Sequence, residues 1–272
     1  MSRPEGPPPA LLGAATAAGV SLVASGRRLD VVLDAPERRN AQTPATWRAL
    51  AAAGAWASEH ADLVVVRATG PSFSAGLDRR AFNPAGIDGE PGLHQLAALD
   101  PDDLDATIAS YQDGFAVWSQ GPFLSIAAVQ GSAVGAGFQL ALACDVRVAA
   151  SDARFAMREP ALGLVPDLGG TGPLVDAVGF ARAVEICATV RWVDAAEAER
   201  IGLVQAVVPP ADLAASVDAL VDAVLANPPG AVRATRALLA RAAGRDRPDQ
   251  RAAERSAQGD RLRALLREAQ EG

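Results

Sequence analysis

The sequence contains few of the side chains that build metal centres and nucleophilic triads. Its 272 residues include two histidines, His60 and His94, and two cysteines, Cys144 and Cys187. The cysteines lie far apart in apolar segments, so the sequence supports neither a disulfide framework nor a zinc cluster. Two histidines do not support a His-based triad or a multi-His metal site either. We therefore expect a cytoplasmic protein without a metal, in which carboxylates and the main chain carry the chemistry.

Positive charge is also scarce. The chain has 25 Lys and Arg residues against 32 Asp and Glu residues, which gives a formal net charge of −7. A surface that binds nucleic acid needs clustered basic residues, so nucleic acid is not an expected partner. The longest apolar run, residues 123–144, approaches the length of a membrane span, but it is interrupted by glycines and by Gln130 and Gln139. A buried strand, a turn and a buried helix explain this run better, and we expect no membrane association.

Small aliphatic side chains dominate the expected interior. Apolar residues make up 50% of the chain, whereas aromatic residues make up 4%. Small side chains let backbones approach closely, which favours layered α/β packing. Strands alternate with turns and helices, which indicates βαβ units with right-handed crossovers. The predicted elements are a hairpin at 20–24 and 29–33, a helix at 44–60 with Thr43 as its cap, strands at 63–68 and 124–129, a turn at 131–137 and a helix at 138–143.

Three regions follow from this pattern. Residues 1–17 begin with a proline-rich stretch and are expected to form a disordered or extended arm. Residues 18–205 carry the alternating pattern and are expected to form an α/β core. Residues 206–272 show apolar residues at helical spacing, which predicts a C-terminal helical region able to pack on a neighbouring subunit. Residues 83–104 are rich in Pro, Gly and Asp, and we expect a mobile loop over a site there.

Two glycine-containing turns follow predicted buried strands. One spans Phe73–Asp78 and the other Gly131–Gly137. Strand ends that turn through glycine, and the first turn of a helix, leave main-chain N–H groups unpaired. Two such groups that converge on one oxygen form an oxyanion hole, although glycine also serves simply to permit tight turns. A dinucleotide-binding motif is not supported, because Leu140 stands where a third small residue is required.

A third segment, residues 153–171, reads ARFAMREPALGLVPDLGGT. Together with the two turns, in this order and spacing, it resembles the enoyl-CoA hydratase/isomerase (crotonase) family. The resemblance covers roughly residues 20–270 and includes Pro36–Ala41 near the start. It implies an α/β fold in which ββα units form a spiral, with C-terminal helices that build homotrimers or dimers of trimers. It also implies an acyl-CoA thioester substrate, of which coenzyme A is a part, and no separate cofactor.

The resemblance assigns roles to individual residues. The main-chain N–H groups of the oxyanion hole correspond to Ala75 and Ala136. Residues expected to contact CoA are Arg38, Arg39, Ser74, Ala75 and Asp78. Arg38, Arg39, Arg79 and Arg80 could bind the phosphates of CoA. Arg38 and Arg39 have the better claim, because the early basic segment of the family contacts CoA.

Three further residues decide which reaction is expected. Hydratases of the family usually carry two glutamates, and the first position is Gln139 here, whose amide cannot accept a proton from water. The second position matches Glu159, whose apolar neighbours should raise its pKa. Asp167 stands where dienoyl-CoA isomerases place an aspartate. We therefore expect an enoyl-CoA isomerase, of the Δ3,Δ2 or dienoyl type, in which Glu159 moves the proton and Gln139 and Asp167 tune the pocket.

Other interpretations remain open at this point. A hydratase that relies on Glu159 alone would add water to 2-enoyl-CoA, and a protein that binds acyl-CoA without catalysis would also explain the missing first glutamate. Glu159 could instead form a surface ion pair with Arg154 or Arg158. Asp167 could cap the following helix.

Overall fold

A computed structural model describes residues 6–87 and 89–271, with the backbone alone for residues 268–271. The strands are β1 (Val20–Ser25), β2 (Arg28–Leu33), β3 (Leu63–Ala68), β4 (Leu124–Val129), β5 (Ser132–Val134), β6 (Val146–Ala150), β7 (Arg154–Ala156), β8 (Val193–Asp194) and β9 (Ala206–Val208). The helices are α1 (Pro9–Ala17), α2 (Pro44–His60), α3 (Leu93–Leu96), α4 (Pro101–Gln120), α5 (Ala136–Ala143), α6 (Thr171–Val178), α7 (Phe180–Thr189), α8 (Ala195–Arg200), α9 (Leu213–Leu225), α10 (Pro229–Ala240) and α11 (Arg247–Glu271).

The first elements follow from local sequence signals. β1 and β2 pair antiparallel around a turn in which Gly26 adopts a φ of +57°, a value that favours glycine. α2 begins after Thr43, whose hydroxyl accepts the N–H of Thr46, and Pro44 occupies the first helical position. The predicted hairpin, the helix at 44–60 and the strand at 63–68 are confirmed.

The strands form two sheets. Six strands lie in the order β1-β2-β3-β4-β6-β9, and every pair after the first hairpin is parallel. Three short strands form a second sheet in the order β5-β7-β8. Because β5 follows β4 after a short turn, and β7 follows β6 in the same way, the chain turns from one sheet into the other twice. This spiral confirms the predicted α/β class.

The large sheet is covered on both faces. Leu29, Val64 and Phe138 belong to the main apolar core on one side. On the other side α9 packs Leu213, Val217 and Val221 against residues of the sheet such as Val65 and Ile126. The predicted boundary at residues 205/206 therefore needs correction. β9 and α9 both belong to the core, because β9 extends the sheet beside β6 and α9 buries its second face.

The N-terminal arm predicted for residues 1–17 is wrong for the part that the structure describes. Residues 9–17 form α1, with Pro8 at the N-cap and Pro9 at the first helical position, where a missing N–H disrupts no helical hydrogen bond. Ala15 is 1% exposed, and Leu11 and Leu12 pack against the core. Residues 1–5 lie outside the described residues.

The loop predicted at residues 83–104 contains α3, and α4 begins at Pro101. Asp100 supplies the cap of α4 by accepting the N–H groups of residues 102 and 103. The prediction missed both helices because the Pro, Gly and Asp residues that break periodicity are also the residues that start short helices.

Polar contacts attach α10 to the core. Arg233 pairs with the buried carboxylate of Asp62. The Arg236 Nε atom lies 2.7 Å from Asp145 Oδ2, and its Nη1 atom donates to the Gly121 carbonyl at 2.8 Å. Four leucines of α10 and α11 remain exposed by half or more, namely Leu239, Leu262, Leu265 and Leu266. None of the helices in the described part of the chain is both long and apolar enough to cross a membrane.

Candidate active site

Two turns lie side by side at the ends of β3 and β4. The Ser74 N–H donates to the Ser132 carbonyl at 3.0 Å, and the Val134 N–H donates to the Ser74 carbonyl at 3.0 Å. Glycine allows this close approach. A Cβ on Gly137 would lie 2.6 Å from the Ser74 Cβ, and a Cβ on Gly76 would collide with the Val134 carbonyl oxygen. The pairing of the two predicted glycine turns brings their main chains to the same place.

Buried polar side chains fix the first turn. The Asn40 Nδ2 group donates to the carbonyls of Thr69 and Ser72, at 2.9 Å each. The Ser74 hydroxyl donates to the Asn40 carbonyl at 2.7 Å and accepts the amide of Gln42 at 3.1 Å and the N–H of Gly76 at 3.1 Å. Ser74 has no exposed surface. Its enclosed hydroxyl holds the turn in shape, so the side chain gives no support to the predicted contact with CoA.

The N–H group of Ala75 is not available for an oxyanion hole. It donates to the carbonyl of Arg39 at 2.9 Å. Leu77 is the alternative donor on the same turn. The Gly76 carbonyl accepts the Gln42 N–H at 2.7 Å, and the Asp78 N–H donates to the Gln42 carbonyl at 2.8 Å. The intervening Leu77 N–H points the other way and has no partner among the residues that the structure describes. The assignment to Ala75 is thus corrected to Leu77, which lines the cavity.

The second predicted donor is the N–H group of Ala136, which has no main-chain partner among the described residues. Ala136 is the first residue of α5, and its N–H lies in the first turn of the helix, where no residue of the same helix can accept it. A Cβ on Gly76 would lie 3.4 Å from this nitrogen, so the two turns meet next to Leu77. Gly135, which precedes α5, has a φ of +50° and donates its N–H to the Ala156 carbonyl at 2.9 Å. This contact ties the start of α5 to β7.

Glu159 lies beside the two turns. A Cβ on Gly135 would be 3.1 Å from Glu159 Oε1, so the carboxylate packs against the residue before Ala136. Gln139 Nε2 donates to Glu159 Oε1 at 2.7 Å. Glu159 Oε2 is buried and has no hydrogen-bond partner among the described residues. A buried carboxylate oxygen without a partner is energetically unfavourable, which favours the protonated form of Glu159.

Gln139 orients this segment. It is fully buried, and its Oε1 atom accepts the N–H groups of Leu168 at 2.9 Å and of Gly170 at 3.2 Å. The amide therefore holds the 167–170 loop with its oxygen and Glu159 with its nitrogen. A leucine or methionine of similar size would satisfy neither contact.

Two carboxyl groups share the site. Burial raises the pKa of Glu159 above its usual value, and the negative charge of Asp167 raises it further, against the lowering effect of the Gln139 hydrogen bond. Burial also raises the pKa of Asp167. Asp167 does not cap α6, because Gly170 occupies the cap position and no side chain bonds there. Asp167 lines the cavity instead, and its carbonyl accepts Gln112 Nε2 at 2.6 Å.

The arginines near Glu159 do not neutralise it. Arg154 lies 4.4 Å and Arg158 5.1 Å from the centre of the Trp192 ring, measured from each guanidinium carbon. Such cation–π contacts hold a guanidinium group without a carboxylate partner. The interpretation of Glu159 as half of a surface ion pair is therefore wrong for the residues that the structure describes.

The two turns and the two carboxyl groups border one cavity of about 680 Å³. Its lining includes Ala75, Leu77, Ala136, Glu159 and Asp167, and the remaining lining is mostly apolar. Two carboxyl groups and two free N–H groups around an apolar space can polarise a carbonyl oxygen and move a proton on a neighbouring carbon. Among the described residues, no group of three or more His, Cys, Asp or Glu side chains is arranged to hold a metal ion.

The predicted CoA contacts lie at the edge of this cavity or away from it. Arg39 is exposed, and Arg38 is half-buried with its guanidinium against Gly19. Asp78 is 6% exposed and binds the guanidinium of Arg80 at 2.9 Å. This hydrogen bond lowers the pKa of Asp78, so its carboxylate is charged and already paired, which makes it a poor partner for a phosphate. Of the four arginines considered for the CoA phosphates, the exposed Arg79 is the one that lines the cavity.

Residues that act through the main chain were the hardest to find from sequence. Leu77 carries no chemical signal in its side chain, and only the bridge between Gln42 and Leu77 reveals which way its N–H points. Asn40 and Gln42 are separated by about thirty residues from the turn that they support. The signal available in the sequence was that Asn40 and Gln42 are polar residues directly before the capped helix α2.

Known proteins identify the family to which this site belongs. A family model described as enoyl-CoA hydratase/isomerase matches residues 29–265. A protein from Mycobacterium bovis named as an enoyl-CoA hydratase is 33% identical over 198 residues, which are 71% of this chain and 70% of that protein. A short-chain-enoyl-CoA hydratase from Clostridium acetobutylicum is 42% identical over 108 residues, 40% of this chain and 41% of that protein.

Solved structures agree with this match. A crystal structure from Thermobifida fusca, named as an enoyl-CoA hydratase in complex with CoA, is 45% identical, with a TM-score of 0.88 over 97% of this chain and 99% of that one. The same organism provides a complex with acetoacetyl-CoA at 46% identity, with a TM-score of 0.89 over 96% of this chain and 100% of that one. The predicted crotonase-like fold is thereby confirmed, and the chain belongs to the enoyl-CoA hydratase/isomerase family.

Proposed function

We propose that the protein is an acyl-CoA enzyme that adds water to the double bond of a 2-enoyl-CoA thioester. The single observation that carries this proposal is the placement of Glu159, which lines the cavity beside the two turns and has its carboxylate held by a hydrogen bond from Gln139. The relatives from Mycobacterium bovis and Clostridium acetobutylicum are named as hydratases, which favours hydration over the isomerisation expected from the sequence. Binding of CoA and acetoacetyl-CoA by the Thermobifida fusca protein supports an acyl-CoA substrate.

The thioester oxygen binds between the N–H groups of Leu77 and Ala136. As water adds to C3, the electrons of the double bond move onto this oxygen and form an enolate. The two N–H groups stabilise the negative charge without reorganising, because Ser74 and Gly135 already fix their turns. Loss of one such donor typically raises the barrier by about 2.7–4 kcal/mol.

Glu159 moves the proton. Its carboxylate removes a proton from water while the oxygen of that water bonds to C3, and the resulting carboxylic acid delivers a proton to C2 of the enolate. One group can serve in both steps because its raised pKa lies closer to neutral pH than that of a free glutamate. Gln139 keeps the carboxylate in place and exchanges no proton.

Isomerisation is the second candidate, and one observation favours it. Asp167 borders the same cavity as Glu159, and burial raises its pKa as well. In addition, Gln139 stands where hydratases of the family usually carry another glutamate. In this reaction one carboxylate takes a proton beside the thioester and a carboxylic acid returns one further along the chain. The same two N–H groups stabilise the dienolate.

Binding of the nucleotide part of CoA and the oligomeric state remain proposals. Arg79 lies at the rim of the cavity, where its charge can meet a phosphate, and Arg39 is exposed near the same turn. The exposed leucines of α10 and α11 support self-association into a trimer or a dimer of trimers, because such side chains are rarely left in water together. Sedimentation measurements would test the oligomeric state.

The decisive experiment compares the wild-type protein with Glu159→Gln in heavy water, using 2-enoyl-, 3-enoyl- and dienoyl-CoA substrates. We expect hydration of 2-enoyl-CoA with deuterium at C2, and a loss of about 10²- to 10⁴-fold in kcat/KM for the variant, because proton transfer is removed. Deuterium exchange without hydration would favour the isomerase. Binding without turnover of any substrate would favour a protein that only binds acyl-CoA.

The same variant provides its own folding control. A carboxyl group whose pKa is raised in the folded state binds more protons in the folded than in the unfolded protein. Its burial therefore destabilises the fold, and this effect grows as pH rises from the unfolded-state pKa to the folded-state pKa. Glu159→Gln removes this effect and should raise the melting temperature at neutral pH. An inactive variant with a lower melting temperature would indicate damage to the fold instead.

A further inference from the structure

The floor of the cavity contains the only tyrosine of the sequence. Tyr111 lies on α4, is 6% exposed and lines the cavity. Its hydroxyl has no hydrogen-bond partner among the residues that the structure describes, and it is not among the unpaired atoms that protein encloses completely. A ligand in the cavity can therefore reach it. Its hydroxyl is thus a hydrogen-bonding group that the protein leaves available to the cavity.

The ring of Tyr111 is held rigidly. It packs against the ring of Trp47 with centroids 4.9 Å apart and an angle of 57° between the planes. This contact depends on the close approach of α4 to α2 at Gly114, where a Cβ would lie 2.5 Å from the Trp47 carbonyl oxygen. Trp47 is itself fixed by a hydrogen bond from its Nε1 atom to Gln42 Oε1 at 2.9 Å. The hydroxyl is thus positioned before any ligand binds.

Tyr111 and Glu159 line the cavity from different elements. Tyr111 lies on α4, whereas Glu159 follows β7. With the thioester at Leu77 and Ala136, the reacting carbons lie beside Glu159. Tyr111 is then available to the far end of the acyl chain.

The surroundings of Tyr111 favour a neutral partner. Burial raises the pKa of its hydroxyl, and the negative charge of Glu90 raises it further, so the group stays protonated and can donate a hydrogen bond. Arg48, the neighbouring cation, is already paired with Glu90 and is therefore not free to hold a carboxylate at this point. Leu96, Leu104 and Ile108 line the cavity nearby and offer no competing hydrogen-bond acceptor in their side chains.

We propose that Tyr111 selects acyl-CoA substrates whose acyl chain carries a neutral oxygen, either a hydroxyl or a carbonyl, near its far end. This inference rests on the proposed function for the placement of the thioester. An alkyl chain of the same length leaves the hydroxyl of Tyr111 buried and unpaired, whereas an oxygen acceptor satisfies it. A site built to bond a substrate oxygen discriminates strongly against the analogue that lacks it.

The test uses binding, so that its outcome does not depend on which reaction the enzyme performs. Saturated acyl-CoA esters are prepared as pairs of equal length, one ending in a hydroxyl and one in a methyl group, over a series of chain lengths. Calorimetry gives the dissociation constant of each ester for the wild-type protein and for Tyr111→Phe. We expect the wild type to prefer the hydroxyl ester by about tenfold at the best length, and the variant to lose that preference.

Ile108→Val is the matched control. It removes one methyl group from the same face of α4 and no polar atom, so it should weaken both members of a pair alike and keep the tenfold ratio. Melting temperatures of both variants verify that the fold is intact. An equal affinity of the wild type for both members at every length, or a ratio that survives Tyr111→Phe, would overturn the assignment of Tyr111. Loss of turnover by Glu159→Gln would leave that result unaffected, so the two proposals fail separately.

Discussion

The two sides of the cavity differ in the kind of chemical group that they present to a ligand. One side, residues 73–77 and 131–137, presents main-chain N–H groups that buried hydrogen bonds and close glycine contacts hold in place. The other side, residues 158–168, presents side chains whose pKa values depend on their neighbours. The first side cannot change without moving the backbone, whereas the second can change through one substitution. Stabilisation of the enolate is therefore fixed, and the choice of proton transfer is adjustable.

The main-chain side should be the more sensitive to a single methyl group. Gly76→Ala places a Cβ against the Val134 carbonyl and moves Leu77, so we expect kcat/KM to fall by about 10²- to 10³-fold, as when an oxyanion donor is lost. Gly169→Ala is the control, because Gly169 has the same φ of +82° and no atom within 4 Å of its Cβ position. Both variants should lose about 1–2 kcal/mol of unfolding free energy through the left-handed backbone. Equal losses of kcat/KM in Gly76→Ala and Gly169→Ala would contradict the greater sensitivity of the main-chain side.

A pair of substitutions at Gln139 separates the two tasks of its amide. Gln139→Met leaves the N–H groups of Leu168 and Gly170 unpaired and should lower the unfolding free energy by about 1–3 kcal/mol. Gln139→Glu can still accept both N–H groups, so it should be the more stable of the two. Its new charge lies beside Glu159 and should raise the pKa of that residue. Denaturant unfolding and the pH dependence of kcat/KM measure these effects, and equal stability of the variants would argue against the role of the amide oxygen.

The smallest effect is expected from Asp167→Asn. Burial is the main cause of the raised pKa of Glu159, and Asp167 contributes a repulsive charge. Removal of that charge lowers the pKa of Glu159, so the acid limb of the kcat/KM profile should move to lower pH. Asp113→Asn removes the same charge from an exposed position on α4 and should leave the limb in place. If hydration survives in Asp167→Asn, then Asp167 is not needed for that reaction, whereas loss of isomerisation alone would assign it to the second candidate.

The sequence predicted the parts of the fold that local signals determine. The turn at Gly26, the cap at Thr43 and the apolar run at 63–68 each indicate their element without reference to the rest of the chain. The role of residues 9–17 was missed because the apolar face of a short helix gains its stability from the core against which it packs. The two-sheet arrangement was accessible only through the family resemblance, since β5, β7 and β8 are too short to show a period.

The site, like the fold, was predictable only in part from the sequence. Glu159, Asp167 and Ala136 could be placed from the sequence because their motif spacing resembles that of a known family, and the structure brings them to one cavity. The sequence could not show that Leu77, rather than Ala75, has the free N–H group. The N–H of Ala75 is occupied by the Arg39 carbonyl, a contact between segments about thirty-six residues apart. The family resemblance assigns Ser74 and Asp78 to CoA binding, whereas in the structure their side chains bond to the Asn40 carbonyl and to Arg80 and support the turn.

The contacts of the Gln139 oxygen allow this position to change between glutamine and glutamate during evolution. The amide oxygen accepts two backbone N–H groups that a carboxylate oxygen could accept equally well. Glutamine and glutamate codons differ by one nucleotide, so a lineage can pass between one and two acidic groups at this position without refolding the loop that carries Leu168 and Gly170. A gene duplication followed by this single change would yield two enzymes with one scaffold and different proton-transfer chemistry.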